Sequence, residues 1–309
     1  MRLSFIGGTY KGLQVLKAII KEGHIPESII ILKEDEHEEM KYSPDIIDVA
    51  CMYEIPYLCR KKLNQDDYNQ LAILKLDFIF VCGWRTIIDF KVNSSLIFGM
   101  IAAHESILPK YRGFAPINWA ILNGESYAGI TLFKINNAEI DSGEIISQET
   151  VKIEPNDYAI NVYKKITEKT VELCLRFIKD YKSNTVELIP QDESEATYTI
   201  KRTPEDGKIN WNLSSERIYN LVRALAHPYP GAFCVYNMKT YHIRKAQIGE
   251  NNHRKYVQTI PGRVIKSSSK GIEVSCGKGS ILIIEWEDKE CGVLMNPNSL
   301  IKSIKSTLS

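Results

Sequence analysis

The chain has 309 residues, 44% hydrophobic and 25% charged, with a formal net charge of +1 at pH 7. That length is a prior for two domains, each able to bury a sizeable core. The near-neutral balance excludes a global nucleic-acid or membrane-surface signature. Charge is uneven along the chain, however. Residues 201–309 carry 17 Lys+Arg against 9 Asp+Glu, which reads either as a phosphate-facing surface or as a solvated basic one. The seven cysteines form no C-x-x-C pair, and several sit in apolar runs, such as Cys82 and Cys234. They read as free thiols of a reducing compartment. No signal peptide and no apolar run of membrane-spanning length is visible, so the expectation is a cytoplasmic protein with no membrane partner.

Leu3 to Ile6 reads as a short apolar strand, Gly7 to Gly12 as a glycine-bearing turn, and Leu13 to Ile20 as a helix by its spacing. Strand, glycine turn and helix open a doubly wound α/β sheet. The glycines do not spell G-x-G-x-x-G, so they argue for a tight βα turn rather than a nicotinamide site. Ser28 to Leu32 is a second buried strand, running into the acidic stretch Glu34 to Glu39, where His37 reads as a solvated loop residue. A helix is expected near Pro44 to Met52, a strand near Ile55 to Leu58, and a helix from Asp66 to Leu74. Asp77 to Cys82 is a central strand, and ligands of open α/β sheets bind beyond such strand ends. Helices are also expected over Phe114 to Asn123 and Asp157 to Lys179, and strands over Tyr127 to Phe133 and Ile145 to Ile153. The polar, proline-bearing stretch Ser183 to Thr197 reads as a linker. Beyond it, a helix from Ser214 to Leu225 precedes several short strands at turn spacing, the pattern of a small open barrel.

The chemistry concentrates between Ala102 and Ile145. The apolar run Leu96 to Ala103 delivers His104 to a sheet edge, and Asp141-Ser142-Gly143 forms a tight turn one hairpin later. An imidazole titrates near neutrality, and a neighbouring carboxylate fixes its tautomer, so the two residue types suit proton transfer. The run H-x-S-x-L-P-x-x-R-G-x-x-P-x-x-W-A-I-x-N-G-E from His104, followed by I-D-S-G-E-I, resembles the 10-formyltetrahydrofolate-dependent formyltransferases. The resemblance extends from about residue 1 to about residue 290.

That resemblance implies a Rossmann-like catalytic domain over residues 1–182, a linker over 183–197 and an OB-like β-barrel domain over 198–309. The K-x-x-x-x-D-G-x-I-x-W segment at Lys201 to Trp211 and the R-A-L-x-x-x-x-P-G-A-F segment at Arg223 to Phe233 carry the second domain. It also implies 10-formyltetrahydrofolate as formyl donor and no metal. His104 is then the proton-transfer residue and Asp141 its orienting partner. Trp84, Arg85, Thr86, Ile87 and Ile88 line the pterin pocket on one side, and Asn136, Asn137, Ala138, Glu139 and Ile140 on the other, largely through backbone. Ser106 and Arg112 read as scaffold. One position departs from the family's Asn-x-His: Ala102 stands where the asparagine donates to the oxyanion, a contact typically worth about 10²–10³ in rate. Three readings stay open: another donor (His104 itself, a backbone N–H, a water or Asn118), an introduced Asn→Ala change, or a homologue that only binds. The first is adopted, since His104, Asp141 and the surrounding motif are all present.

The family's acceptors are initiator methionyl-tRNA, glycinamide ribonucleotide and nucleotide-linked amino sugars. The second domain argues against the ribonucleotide enzymes. The acidic Glu34 to Glu39 stretch argues against a tRNA partner, because it repels phosphates. The Lys110 to Trp119 run resembles the amino-sugar branch, so the expected acceptor is a nucleotide-linked amino sugar, of the 4-amino-4,6-dideoxy kind. Tyr10, Lys11 and Phe114 are the expected sugar contacts by loop position. The alternatives are a methionyl-tRNA formyltransferase, an impaired folate- or nucleotide-sugar-binding homologue, and a formyltetrahydrofolate hydrolase. A homodimer is an expectation at family level only.

Overall fold

The computed structural model describes residues 1–36, 38, 40–136, 139–249 and 259–309. Strand β1 (Leu3–Gly7) is buried throughout and runs parallel to β2 (Ile29–Leu32) on one side and β4 (Phe78–Cys82) on the other. With β3 (Tyr57–Arg60), β5 (Gly99–His104), β7 (Tyr127–Ile135) and β8 (Ile145–Lys152), they make a seven-stranded sheet of order β3-β2-β1-β4-β5-β7-β8. The first five strands are parallel, and β7 and β8 are antiparallel. Parallel strands covered on both faces need unbroken apolar runs, and Ile29 to Leu32 and Phe78 to Cys82 supply them. The chain moves outward from β1 to β3 and then returns to β4 on the other side. The strand order therefore reverses between β1 and β4, which opens a crevice at their carboxyl ends.

Helices α1 (Thr9–Lys21), α2 (Ser43–Met52) and α3 (Gln65–Ile73) make the crossovers. The start of α3 is set by Asn64, whose side chain and that of Asp67 cap each other's backbone N–H, both at 3.0 Å. The long α5 (Ala159–Lys182) docks through Phe177, whose ring lies 5.0 Å from Phe78 and 5.3 Å from Phe98, edge-on and tilted respectively. Such pairs contribute roughly 0.5–1.5 kcal/mol each beyond area burial. A short strand β6 (Arg112–Gly113) pairs in parallel with β9 (Tyr198–Thr199).

The chain divides into two compact units. The first comprises Met1–Pro116, Tyr127–Lys152 and Tyr163–Ile200, and the second Ile117–Ser126, Ile153–Val162 and Lys201–Ser309. The stretch expected as a linker is strapped to the first unit. Ile189 and Ile145 exchange backbone hydrogen bonds at 2.8 and 2.9 Å, and the Thr197 carbonyl accepts from the Arg112 N–H at 2.8 Å. The backbone groups of this stretch, with Gln191 and Glu193, are what the buried Arg112 region pairs with.

The second unit is an antiparallel sheet of β10 (Ala232–Tyr236), β11 (Lys239–Ile248), β14 (Ser280–Asp288), β13 (Gly271–Ser275) and β12 (Val264–Ser268), in that order, with β15 (Leu294–Met295) on β14. Its core packs α6 (Ser215–Leu225) against Trp286, which stacks on Tyr241 at 4.1 Å. The C-terminal residues reach both sheet edges. Val235 and Ser309 pair at 2.6 and 3.0 Å, and the Val264 N–H donates to the Ser306 carbonyl at 3.0 Å. Helix α4 (Pro116–Leu122) begins at the proline after the site loop.

Candidate functional site

β5 lies between β4 and β7, and its last residue, His104, is opposite Thr131. Strand alternation puts Ala102 and His104 on one face and Ala103 on the other. The His104 side chain is buried, with Nε2 2.8 Å from the Tyr111 carbonyl oxygen. A carbonyl only accepts, so the proton on that side sits on Nε2. Nδ1 lies 3.4 Å from Asp141 Oδ2. Acceptors therefore face both ring nitrogens.

Asp141 is placed by its backbone. It adopts φ +51°, a conformation that aspartate tolerates better than most residues. Its Oδ2 also accepts from the Gly113 N–H at 2.9 Å. Gly113 needs to be glycine: its φ is +103°, and a Cβ would lie 2.6 Å from the Thr199 carbonyl. Gln191 Nε2 donates to the Asp141 carbonyl at 2.8 Å and the Gly143 carbonyl at 2.6 Å, pinning the turn. Gln191 is held in turn by Arg112, whose fully buried guanidinium donates to Gln191 Oε1 at 2.7 Å, to both Glu193 oxygens at 2.7 and 2.8 Å, and to Tyr198 Oη at 3.0 Å. Hydrogen bonding to Glu193 holds the guanidinium above its ordinary pKa despite burial, and Arg112 holds the Glu193 carboxyl below its own. Arg112 is thus a brace, as is Ser106, whose hydroxyl donates to the Lys110 carbonyl at 2.6 Å. Sequence reading passed over Gln191 and Glu193. The one available signal was an arginine in the motif with no acceptor near it in sequence.

The loop after β4 holds two buried polar atoms without a hydrogen-bond partner, Trp84 Nε1 and Thr86 Oγ1. Ile88 is buried in the core, Ile87 is exposed, and both terminal nitrogens of Arg85 are engaged by the two Glu38 oxygens. In the loop after β7, Asn136 Nδ2 donates to Glu144 at 3.3 Å, and the Glu139 carbonyl accepts from Ser142 at 3.2 Å. Ile140 is partly exposed, whereas Asn137 and Ala138 lie outside the described residues.

The other expected residues are placed differently. Tyr10 is half-buried, its ring 6.0 Å from Tyr42 and 6.4 Å from Tyr163. Phe114 is largely exposed. Lys11 is not presented to a substrate: its side chain is only 1% exposed, and Nζ donates to Glu105 Oε1 at 2.6 Å and the Ala103 carbonyl at 2.8 Å. Loop position suggested an outward lysine, but a partner carboxylate inside the fold draws the ammonium in. Ala102 packs in an apolar cluster with Val81, Ile88, Leu108 and Phe133. Asn118, considered as a substitute donor, belongs to the second unit and spends its amide on the Ala224 carbonyl at 2.6 Å.

The acidic stretch also differs from its reading as a repelling loop. Glu38 pairs with Arg85, Asp35 with Lys61, and Glu34 Oε1 accepts the Tyr42 and Ser43 N–H groups where α2 begins. Much of its charge is neutralised within the fold. His37 and Glu39 lie outside the described residues. No cluster of metal-ligating side chains is found among the described residues.

A family model described as formyl transferase matches residues 2–178, and one described as formyl transferase, C-terminal domain, matches residues 201–305. A curated relative, the bifunctional polymyxin resistance protein ArnA of Wigglesworthia glossinidia brevipalpis, is 31% identical over 303 residues, covering 94% of this chain and 45% of that protein. The chain thus spans less than half the length of that relative. Among solved structures, the N-formyltransferase of Helicobacter canadensis in complex with folinic acid and dTDP-3-aminofucose superposes with a TM-score of 0.69 at 21% identity, covering 92% of this chain and 99% of that one. WlaRD, a sugar 3N-formyl transferase crystallised with dTDP and 5-N-formyl-THF, gives 0.66 at 20% identity, covering 94% and 98%. At those identities the likeness is one of fold.

Proposed function

This chain belongs to the formyl transferase family, and from that premise we propose that it transfers a formyl group from 10-formyltetrahydrofolate to the amine of a nucleotide-linked amino sugar. The observation that carries the reading is the contact between His104 and Asp141, made beside the reversal in strand order where such sheets bind ligands. The donor fits the chain's own residues. Trp84 Nε1 and Thr86 Oγ1 are buried without partners in the loop expected to hold the pterin, and a buried polar group is normally hydrogen-bonded. When bound, the folate supplies the activated formyl group.

The protein's part is proton handling, charge and position. His104 and Asp141 hold between Nδ1 and Oδ2 the proton that the acceptor amine sheds. Ala102 offers no amide, and Asn118 is committed elsewhere. With Nε2 held by the Tyr111 carbonyl and Nδ1 facing Asp141, the donor to the developing oxyanion is read as a backbone N–H or an ordered water. The sugar acceptor is supported by the two similar structures, whose enzymes act on sugars. The choice of a 4-amino-4,6-dideoxy sugar rests on the motif run from Lys110 to Trp119. Residues 1–182 are read as the formyl-transfer domain, 183–197 as the connecting strap, and 198–309 as an OB-like barrel. The C-terminal bonds to both edges of its sheet support that last reading. We read the protein as cytoplasmic, in keeping with its seven free cysteines, as acting without nucleic acid or a membrane, and as a candidate homodimer. No helix among the described residues is long and apolar enough to cross a membrane.

Ala102 favours one second reading, a homologue that binds without turnover. The test is formyl transfer from 10-formyltetrahydrofolate to dTDP- and UDP-linked 3-amino and 4-amino sugars and to methionyl-tRNA, on this protein and on Ala102→Asn. Turnover of one sugar by the parent, abolished by His104→Ala, is expected. Turnover by Ala102→Asn alone overturns the parent's activity, and turnover of methionyl-tRNA alone overturns the acceptor.

A further inference from the structure

Lys11 sits in the first turn of α1, far in sequence from the catalytic strand, yet its ammonium ends beside His104. It donates to the carbonyl of the residue before the histidine, Ala103, at 2.8 Å, and to the side chain of the residue after it, Glu105, at 2.6 Å. The ladder between β4 and β5 stops at Ala102, so Ala103 and His104 at the end of β5, and Glu105 just after it, lie beyond the paired register. Tyr163 of α5 completes the arrangement. Its hydroxyl accepts from the Lys11 backbone N–H at 3.2 Å and donates to Thr9 Oγ1 at 3.1 Å, fixing the turn from which the lysine projects.

A buried ammonium is costly, and a fold keeps one only where it is paired. Burial works against the charged form of Lys11, but the Glu105 carboxylate, together with Tyr163 and Cys82, outweighs it, and the lysine pKa is raised. Burial likewise opposes charge on Glu105, and Lys11 and then His104 bring its pKa below the ordinary value. The pair is therefore ionised, and one ammonium holds the chain on both sides of the catalytic imidazole. Asp141 is held separately, by Gly113 and Gln191, and His104 Nε2 by Tyr111.

We propose that Lys11 is a positioning residue for formyl transfer, its ammonium clasping Ala103 and Glu105 so that the His104 ring stays against Asp141 at the end of a strand that carries alanine where the family has asparagine. The proposal rests on the function given above. Misplacing a catalytic group by about 1 Å costs on the order of 100-fold in rate.

The test compares the parent with Lys11→Leu/Glu105→Leu, since apolar replacement of a whole buried pair is often neutral for stability. Thermal midpoints, kcat and KM with 10-formyltetrahydrofolate and dTDP-4-amino-4,6-dideoxyglucose, and the ¹H–¹⁵N signals of the His104 ring, assigned with His104→Gln, are measured together. The expected result is a folded protein with kcat lowered roughly 10- to 100-fold, KM for the donor within about twofold, and displaced His104 ring signals. Parental kcat, or ring signals at the parental position, overturns the proposal. Should the leucine pair fail to fold, Glu105→Gln is measured in the same way, and a parental kcat or unmoved ring signals in that variant overturn the proposal equally. A parent that formylates no acceptor in the panel counts against the proposed function, and the ring signals then decide the Lys11 role independently.

Discussion

The Nδ1 atom of His104 lies 3.4 Å from Oδ2 of Asp141, although the histidine ends a sheet strand and the aspartate sits in a turn at positive φ. The same carboxylate oxygen accepts the Gly113 N–H at 2.9 Å. Asp141→Asn keeps an acceptor for Gly113 and removes the charge beside the imidazole. Formyl transfer is expected to fall by about 10²–10⁴ in both His104→Ala and Asp141→Asn, with the thermal midpoint of Asp141→Asn close to the parent's. Initial rates alongside calorimetry check this, and an Asp141→Asn enzyme at parental rate would refute the assignment.

Arg112 links that turn to the strap. Arg112→Met leaves Gln191 without its anchor and removes the hydrogen bonds to Glu193 and Tyr198. The exposed Glu193 carboxylate is rehydrated, so the main loss is the charged hydrogen bond to Gln191, a type that contributes about 1.5–3 kcal/mol. Activity should fall as well, because Gln191 no longer pins the Asp141 and Gly143 carbonyls. Denaturant midpoints and turnover, taken on one preparation, test both effects. A variant that loses stability but keeps its rate would separate the brace from the site.

Trp84 Nε1 and Thr86 Oγ1 are buried with no partner, so removing them costs the free protein nothing in hydrogen bonds. Thr86→Val and Trp84→Phe are expected to melt at or above the parental temperature. Each should weaken tetrahydrofolate binding by roughly 3- to 10-fold, the equivalent of one hydrogen bond of about 0.5–1.5 kcal/mol. Calorimetric titration with 5-formyltetrahydrofolate measures this, and unchanged affinity would move the folate elsewhere.

The Lys11–Glu105 pair makes a pH-dependent contribution to stability. Glu105 has its pKa depressed in the folded state, so its share is complete above the unfolded carboxyl value of about 4.3 and is lost as pH falls through the lower folded one. Lys11 has its pKa raised, so its share is complete below about 10.4 and is lost as pH rises through the higher folded value. Relative to Lys11→Leu/Glu105→Leu, the parent should therefore lose stability at both extremes and hold it from about pH 5 to pH 10. Urea midpoints from about pH 3 to about pH 12, spanning both extremes, are the measurement. Parallel curves for the two proteins would mean that the pair is not ionised as described.

Local patterns were legible because they depend on neighbours in the chain. Apolar runs long enough for a doubly covered strand placed β2 and β4, helical spacing placed α1 and α6, and the H-x-S-x-L-P-x-x-R-G run pointed to His104 and, with D-S-G, to Asp141. The resemblance those residues carry singled out the two side chains, and a strand end and a tight turn are each specified within a few residues. The directions of polar side chains were not legible. Lys11 reads as a loop lysine until Glu105 and the Ala103 carbonyl are brought to it, and Ser183 to Thr197 reads as a linker until Arg112 is buried beneath Gln191 and Glu193. The acidic residues after β2 read as a repelling patch until Arg85 and Lys61 arrive from other strands and loops. A buried charge needs a partner, and those of Lys11 and Arg112 come from distant parts of the chain. Composition and spacing therefore determined the main strands and helices, and the resemblance carried by the motif pointed to His104 and Asp141, while only the tertiary structure decided what holds those two side chains in place.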